Sequence, residues 1–310
     1  MTVTTDAARR TEGRSVSPKV PWWRHKNTLA YALVAVPLVV LAIALLLPVG
    51  FNAWVSLHSW SLVDQGGPKF IGLGNYEQIF TDPRYRGTVL RTFVFVVGTV
   101  GVQLIVGFAM ALFLNRHFRT LKALRTVLLL PMMVSEVVVG MAWRYMYEYS
   151  GGALNWLLSL VGLGPVHWLG PDLALLSIIF ADAWSNIPFV TLILFTALQT
   201  VPRDILDAAA VDGAQRWTRL RHVIIPMVQP AILVVLMFRT MFAIRAFTLV
   251  WILTEGGPGG TTNLIAIDVY KSAFSNYNLG LGGALSWVLV AISLVIAILY
   301  IRWLNREPLY

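Results

Sequence analysis

The stretch Val201-Pro202-Arg203-Asp204-Ile205-Leu206-Asp207-Ala208-Ala209-Ala210-Val211-Asp212-Gly213-Ala214-Gln215-Arg216-Trp217-Thr218-Arg219-Leu220-Arg221-His222-Val223-Ile224-Ile225-Pro226-Met227-Val228-Gln229-Pro230 lies between two apolar runs and sets how the chain is arranged around it. Pro202 suits the first turn of a helix, where its missing N–H costs nothing. Asp204 and Asp207 fall in the early turns, where the helix dipole favours acids. Ala208, Ala209 and Ala210 leave a surface small enough for close packing by a partner. Gly213 can take a positive φ and end that helix sharply. A second short helix over about 215–222 carries Arg216, Arg219 and Arg221, and Pro226 and Pro230 mark entry to the next apolar run. The pattern predicts a compact helix–turn–helix knob at one face of a membrane.

Outward from the knob the chain is apolar. Of 310 residues, 57% are hydrophobic and 13% charged, against about 45–50% and about 25% in an ordinary soluble domain. The mean hydropathy is +0.69. A bilayer core of about 30 Å needs roughly 20 apolar residues in a helix. Runs of that length fall near 29–51, 92–115, 126–146, 173–200, 226–252 and 280–301. They predict an all-α polytopic membrane protein with six transmembrane helices. Residues 149–171 also lack formal charge, but Gly151-Gly152 and Gly162-Leu163-Gly164-Pro165 cut them short. The piece near 153–161 predicts a helix lying at the interface, with Trp156 and Trp168 at headgroup level.

Cytoplasmic loops carry the excess of Lys and Arg. Placing both termini inside puts 16 of the 24 basic residues inside, in the N-terminal tail, the 115–125 loop, the knob and the C-terminal tail. A seventh span would reverse the later loops and break that agreement. The organisation read from the sequence is a disordered cytoplasmic tail (1–28), a six-span membrane domain (29–302) with the knob (200–222) inside it, and a short cytoplasmic tail (303–310). The first span is followed by no small-x-small cleavage site and reads as an uncleaved anchor.

Composition excludes several kinds of chemistry. Cys is absent, so thiolate nucleophiles and thiolate metal sites are ruled out. The five His never lie within one helical turn of each other, so no metal site is expected. The net charge of +9 is not a nucleic-acid signature in a chain with runs of membrane length. Gly256-Gly257-Pro258-Gly259-Gly260 precedes no helix-borne Lys and reads as a turn. No Walker motif and no supported Ser/His/Asp set exists, so no catalytic residue is expected.

Charges at mid-membrane are costly and usually face an interior or a water-filled cavity. Asp182, Ser185, Asn186 and Phe189 are spaced i, i+3, i+4, i+7 and share one helical face. An acid, a hydroxyl, an amide and a ring on one face suit a sugar, whose hydroxyls take the polar groups and whose C–H face covers the ring. The plainer alternative is a polar helix–helix contact. Pro188 beside Asn186 allows a local break. Arg239, Phe242, Ala243 and Ala246 form a second such face, where the small residues leave room for a ligand or a neighbouring helix. Arg245 is about 240° around the helix from Arg239, so the two point to different sides. Arg239 is then the candidate for ligand or gate, and Arg245 for pairing with an acid on a partner subunit. Glu136 is expected in a structural ion pair with one of the two.

The knob's pattern resembles the coupling loop of membrane subunits in binding-protein-dependent ABC importers. The matching residues are Ala208, Ala209, Asp212, Gly213, Ala214, Ile224, Pro226 and Pro230. Asp207 stands where Glu is usual, and Ile225 where Leu is usual. Phe70-Ile71-Gly72-Leu73-Gly74-Asn75-Tyr76 is similar to the first external loop of the carbohydrate-uptake branch. Trp184 with Pro188-Phe189, Ala197-Leu198-Gln199 with Pro202, and Leu253-Thr254 with Gly256-Gly257-Pro258 extend the likeness along the chain. Phe242 and Thr248 depart from it, since many relatives have acids there.

The resemblance implies a bacterial inner-membrane permease subunit for a sugar or related polyhydroxylated solute, working by alternating access. It implies a second permease subunit, two ATPase subunits and an extracytoplasmic solute-binding protein, with ATP and Mg held by the ATPase subunits and no cofactor in this chain. Asp207, Ala208, Ala209, Asp212, Gly213 and Ala214 would couple to the ATPase. Two rivals stay open: an ion-coupled secondary transporter, which would need an inverted repeat or ion relay, and a membrane-embedded enzyme, which would need paired acids or metal ligands at one interface.

Overall fold

The computed structural model describes residues 26–115, 128 and 130–304. The expected terminal tails lie outside these residues, apart from 26–28 and 303–304. So does the basic loop holding Arg116, Arg119, Lys122 and Arg125. The chain divides into two units, 1–52 and 53–310. The first holds most of α1 (Lys26–Ser56), a helix that contains Pro37 and Pro48. Its stretch from Leu33 to Ser56 is long and apolar enough to cross a membrane.

The second unit opens with a two-residue antiparallel hairpin, β1 (His58–Ser59) and β2 (Lys69–Phe70), with His58 opposite Phe70. In α2 (Gly74–Thr81), buried Asn75 donates through Nδ2 to the carbonyls of Ser56 and His58, both at 2.9 Å. Tyr76 donates its hydroxyl to Ser56 Oγ at 2.8 Å. The Phe70–Tyr76 motif is therefore a strap closed by its own polar side chains.

α3 (Pro83–Leu114) starts at Asp82, whose side chain accepts from the Arg84 N–H at 2.8 Å, with Pro83 in the first turn. It packs along α6 (Ala174–Gln199). A Cβ added at Gly98 would meet Ile179 Cδ1 at 2.8 Å, and one at Gly107 would meet Val190 Cγ1 at 2.8 Å. These two glycines let the backbones close up, as small residues do between membrane helices.

The third expected span is seen only in part. Residues 130–133 are helical, and α4 (Glu136–Met146) begins afresh at Ser135, whose Oγ accepts from Val137 N. Its 11 residues reach only about 16 Å at 1.5 Å per residue. Residues 116–127 and 129 lie outside the described residues. Among those described, five helices are long and apolar enough to cross a membrane: Leu33–Ser56, Pro83–Leu114, Ala174–Gln199, Arg216–Ile244 and Leu279–Trp303.

α5 (Ala153–Leu160) is the short helix expected near 153–161. Asn155 organises the surrounding loop. Its Nδ2 donates to the carbonyls of Tyr149 and Val166, and its Oδ1 accepts from Val166 N and from the Trp168 indole at 2.9 Å.

α6 runs unbroken through Pro188, so the break allowed there does not occur. The interruption falls in the fifth span instead. The knob is α7 (Arg203–Val211) and α8 (Arg216–Arg219). α8 passes through a π turn (Leu220–Ile224) into α9 (Ile225–Ile244), so the knob's second arm and the fifth span are one helical run. Pro226 ends nothing because it sits in the first turn of α9, directly after the wider π turn. The chain then leaves the helix at Arg245, Ala246 and Phe247 before α10 (Thr248–Thr254). A turn with positive φ at Gly256, Gly259 and Gly260 leads to α11 (Ile265–Tyr270), a π turn (Lys271–Ser275) and α12 (Leu279–Leu304).

Three apolar clusters among the described residues hold these helices, one of them centred on Ile79, Tyr85, Leu281 and Leu285. Phe95, Ile178, Val250, Leu264 and Ile267 centre the second; Ala111, Val190, Leu194, Val228 and Val235 centre the third.

Candidate functional site

Between α4, α6 and the α9–α10 break lies a cavity of about 580 Å³, within the range of small-molecule sites. Asp182, Ser185, Asn186 and Phe189 line one wall, as their spacing on one helical face predicts. Arg239, Phe242 and Ala246 line another. Ala243 does not: it is 2% exposed and packs into the core with Phe95 and Ile244.

Asp182 and Arg239 are largely committed to the chain itself. Thr99 Oγ1 and Gln103 Nε2 both donate to Asp182 Oδ2, the second at 2.8 Å. Arg239 Nε donates to Gln103 Oε1 at 2.7 Å, and Arg239 Nη2 stands 3.6 Å from Asp182 Oδ2. The two charged side chains are 14% and 8% exposed. This ties α3, α6 and α9 together, yet both side chains also line the cavity, and Arg239 makes its one hydrogen bond among the described residues through Nε, leaving both Nη groups with hydrogen-bonding capacity. Thr99 and Gln103 are missing from the sequence-derived set. They are neutral residues in a charge-free span, and no local pattern marks them.

Other groups are open to the cavity as well. Asn186 Nδ2 donates to Asp182 O at 2.9 Å and to Ser185 Oγ at 3.0 Å. Its Oδ1 has no hydrogen-bond partner among the described residues. Arg245 lines the same cavity as Arg239, contrary to the helical-wheel expectation, because the helix ends at Ile244 and the wheel's phase is lost there. Its Nε donates to Met241 O at 3.2 Å, and its guanidinium lies 5.6 Å from the centre of the Phe242 ring. Glu136 also lines the cavity; it interacts electrostatically with Arg239 but makes no close ion pair with either arginine.

A second buried polar cluster, also outside the sequence-derived set, pins the turn after α10 to α3. Asp268, fully buried, accepts from Thr88 Oγ1 at 2.7 Å and Asn263 Nδ2 at 2.6 Å and pairs with Arg84 Nη2 at 3.2 Å.

At the knob, the D-G-A motif is a Schellman cap. Ala214 N donates to Ala209 O at 2.9 Å and Gly213 N to Ala210 O at 3.1 Å, with Gly213 at φ 76°. This is the 6→1 and 5→2 pattern that closes a helix with glycine. Asp207, Ala208 and Ala209 lie on α7, and Asp212 is its C-cap. No residue of α7 or α8 is buried, and Ile205, Val211 and Trp217 are 43%, 87% and 69% exposed.

Residues 103–306 match the family described as binding-protein-dependent transport system inner membrane component. The chain is 35% identical over 278 residues to the trehalose/maltose transport system permease protein MalF of Thermococcus litoralis, covering 88% of this chain and 92% of that one. It is 36% identical over 278 residues to the trehalose transport system permease protein SugA of Mycobacterium tuberculosis, covering 89% of each. A solved bacterial ABC transporter involved in the import of the acidic polysaccharide alginate superposes with a TM-score of 0.77 at 21% identity, covering 90% of this chain and 96% of that chain. That last likeness is one of fold.

Proposed function

The chain belongs to the family of binding-protein-dependent transport system inner membrane components, and on that premise we propose that it lines the sugar pathway of an ATP-driven importer. It is a multi-pass permease subunit of an ABC transporter, not an enzyme. The observation that carries the sugar reading is the cavity wall. The unpaired Asn186 Oδ1 and the Ser185 hydroxyl, which donates to Asp182 O and can still accept, line the same cavity as the Phe189 ring, hydrogen-bonding groups with an apolar face, which is the chemistry of a pyranose. The trehalose and maltose permeases named above support the same class of solute.

In this reading the solute-binding protein delivers sugar at the face opposite the knob. Two ATPase subunits, holding ATP and Mg, dock on α7 and α8 through Ile205, Val211 and Trp217. A second permease subunit completes the pathway, and both termini are cytoplasmic. Closure of the ATPase pair moves the knob, and α9, continuous with it, carries the motion to the cavity as a rigid body. Asp207, Ala208, Ala209, Asp212, Gly213 and Ala214 build the docking arm. Ser185, Asn186, Phe189, Phe242, Ala246 and Arg245 meet the solute, with Asp182 and Arg239 holding that wall in place.

Reconstitution of the chain with its partner subunits in proteoliposomes tests this. Binding protein loaded with trehalose or maltose should stimulate ATP hydrolysis and drive sugar uptake. Uptake that persists without the ATPase subunits would point to a secondary transporter, and uptake restricted to a non-carbohydrate solute would end the sugar reading.

A further inference from the structure

We propose that a strip of four aromatic rings, Phe247, Trp251, Tyr270 and Phe274, extends the cavity toward the face opposite the knob and binds carbohydrate along its length. The proposal rests on the sugar reading above and deepens it. Phe247 lines the cavity. Its ring stacks on Trp251 with centroids 5.6 Å apart and planes 16° apart. Trp251 meets Tyr270 edge-on at 4.7 Å, and Phe247 also reaches Tyr270 at 5.2 Å. Tyr270 then stacks on Phe274 at 5.4 Å and 30°. The rings thus pass without a gap from the cavity wall to Phe274, which is 65% exposed beyond α11. The spacing explains the strip. Phe247 and Trp251 are one turn apart, as are Tyr270 and Phe274, so each pair forms one ridge.

The core accounts for only part of this arrangement: Phe247 and Trp251 pack one side against the cluster around Val250 and Ile267, whereas Tyr270 and Phe274 lie outside it. None of the four rings is buried. The Trp251 indole N–H and the Tyr270 hydroxyl have no hydrogen-bond partner among the described residues. Against lipid tails such donors would go unsatisfied at a real cost. Against a pyranose the ring covers the C–H face while the donors meet hydroxyls, so both halves of each side chain are used. Four neighbouring faces of similar character also give a series of comparable weak sites. A path needs such a series, because a single deep site would hold the solute.

The test uses the assembled importer. Trp251→Leu and Tyr270→Leu should each lower sugar uptake roughly ten-fold, the scale of one lost stacking contact with its hydrogen bond. Stimulation of ATP hydrolysis by loaded binding protein should stay unchanged, and Trp251→Phe should recover most of the uptake. Because the chain has no Cys, Trp251→Cys and Phe274→Cys each give a single thiol on it. Both should react with a charged, membrane-impermeant thiol reagent, and turnover on sugar should slow the reaction. Reaction with lipid-soluble reagents alone would show a lipid-facing strip and overturn the proposal. Failure of the Leu variants to co-purify with the second permease would show a subunit contact and overturn it equally. Normal uptake by every variant, with a sugar-importing wild type, overturns the strip alone. A wild-type chain that imports no carbohydrate overturns the sugar reading and the strip together.

Discussion

The mid-membrane ion pair and the knob treat their side chains in opposite ways. Around Asp182 and Arg239, the carboxylate and guanidinium are met by Thr99, Gln103 and each other. On α7 and α8 nothing is buried, and Val211 and Trp217 hold apolar surface out from the chain. A charge inside a membrane is held by groups of its own chain and becomes a structural joint. Apolar surface left open on a polar loop awaits a partner. Unfilled capacity therefore marks function better than charge alone does, and the cavity follows the same rule: Asn186 Oδ1, Glu136, Arg245 and the Nη groups of Arg239 are open there.

The contrast makes predictions of decreasing size. Asp182→Ala leaves Arg239 buried and unpaired, a loss of about 3–5 kcal/mol, to be read as a fall in thermal stability of the purified chain. Replacing both residues by Leu should recover much of that loss. A single variant as stable as wild type would show that the pair is no joint. Trp217→Ala should leave stability alone but cost about 2 kcal/mol or more of ATPase docking, as central aromatic anchors do. Unaltered co-purification of the ATPase subunits would break the comparison at the knob.

Gly213→Val meets no atom within 4 Å of its new Cβ, so its penalty is conformational. An L-residue at φ 76° costs about 1–2 kcal/mol. Sugar taken up per ATP hydrolysed should drop several-fold, and tight coupling in a well-expressed variant would refute the role of the cap. The smallest effect is expected at Asn186→Leu. Losing one acceptor for a solute hydroxyl costs about 1 kcal/mol, or about five-fold in apparent affinity. Unchanged affinity and solute range would mean that this wall only packs.

The sequence made the helical class, most spans and the knob legible because each rests on local physics. Apolar length decides a span, and Gly213 after three alanines decides a cap. The cavity wall on α6 was legible as one face for the same reason, since α6 is a regular helix. What escaped depends on events elsewhere in the chain. Gln103 and Thr99 acquire a role only when α3 meets α6 across Gly98 and Gly107. The wheel puts Arg245 on the side away from Arg239 because it continues a helix that ends at Ile244. Ala243 has the size of a cavity residue and of a packing residue alike, and only the neighbouring Phe95 separates the two. Asp268 sits outside any span and draws no notice until Thr88, Arg84 and Asn263 gather on it.

The unbroken run from Arg216 to Ile244 also sets a gear ratio. Arg239 is where the run is tied to α3 and α6. At about 1.5 Å per residue, Arg216 lies about 35 Å along the rod from that tie and Ile244 about 8 Å beyond it. Rocking about Arg239 reduces a displacement by about four- to five-fold and multiplies force by the same factor. Under the proposed coupling, a push of about 4 Å at the knob becomes a movement of about 1 Å at the rim of the cavity, in the opposite direction. In mechanical terms the subunit is geared low.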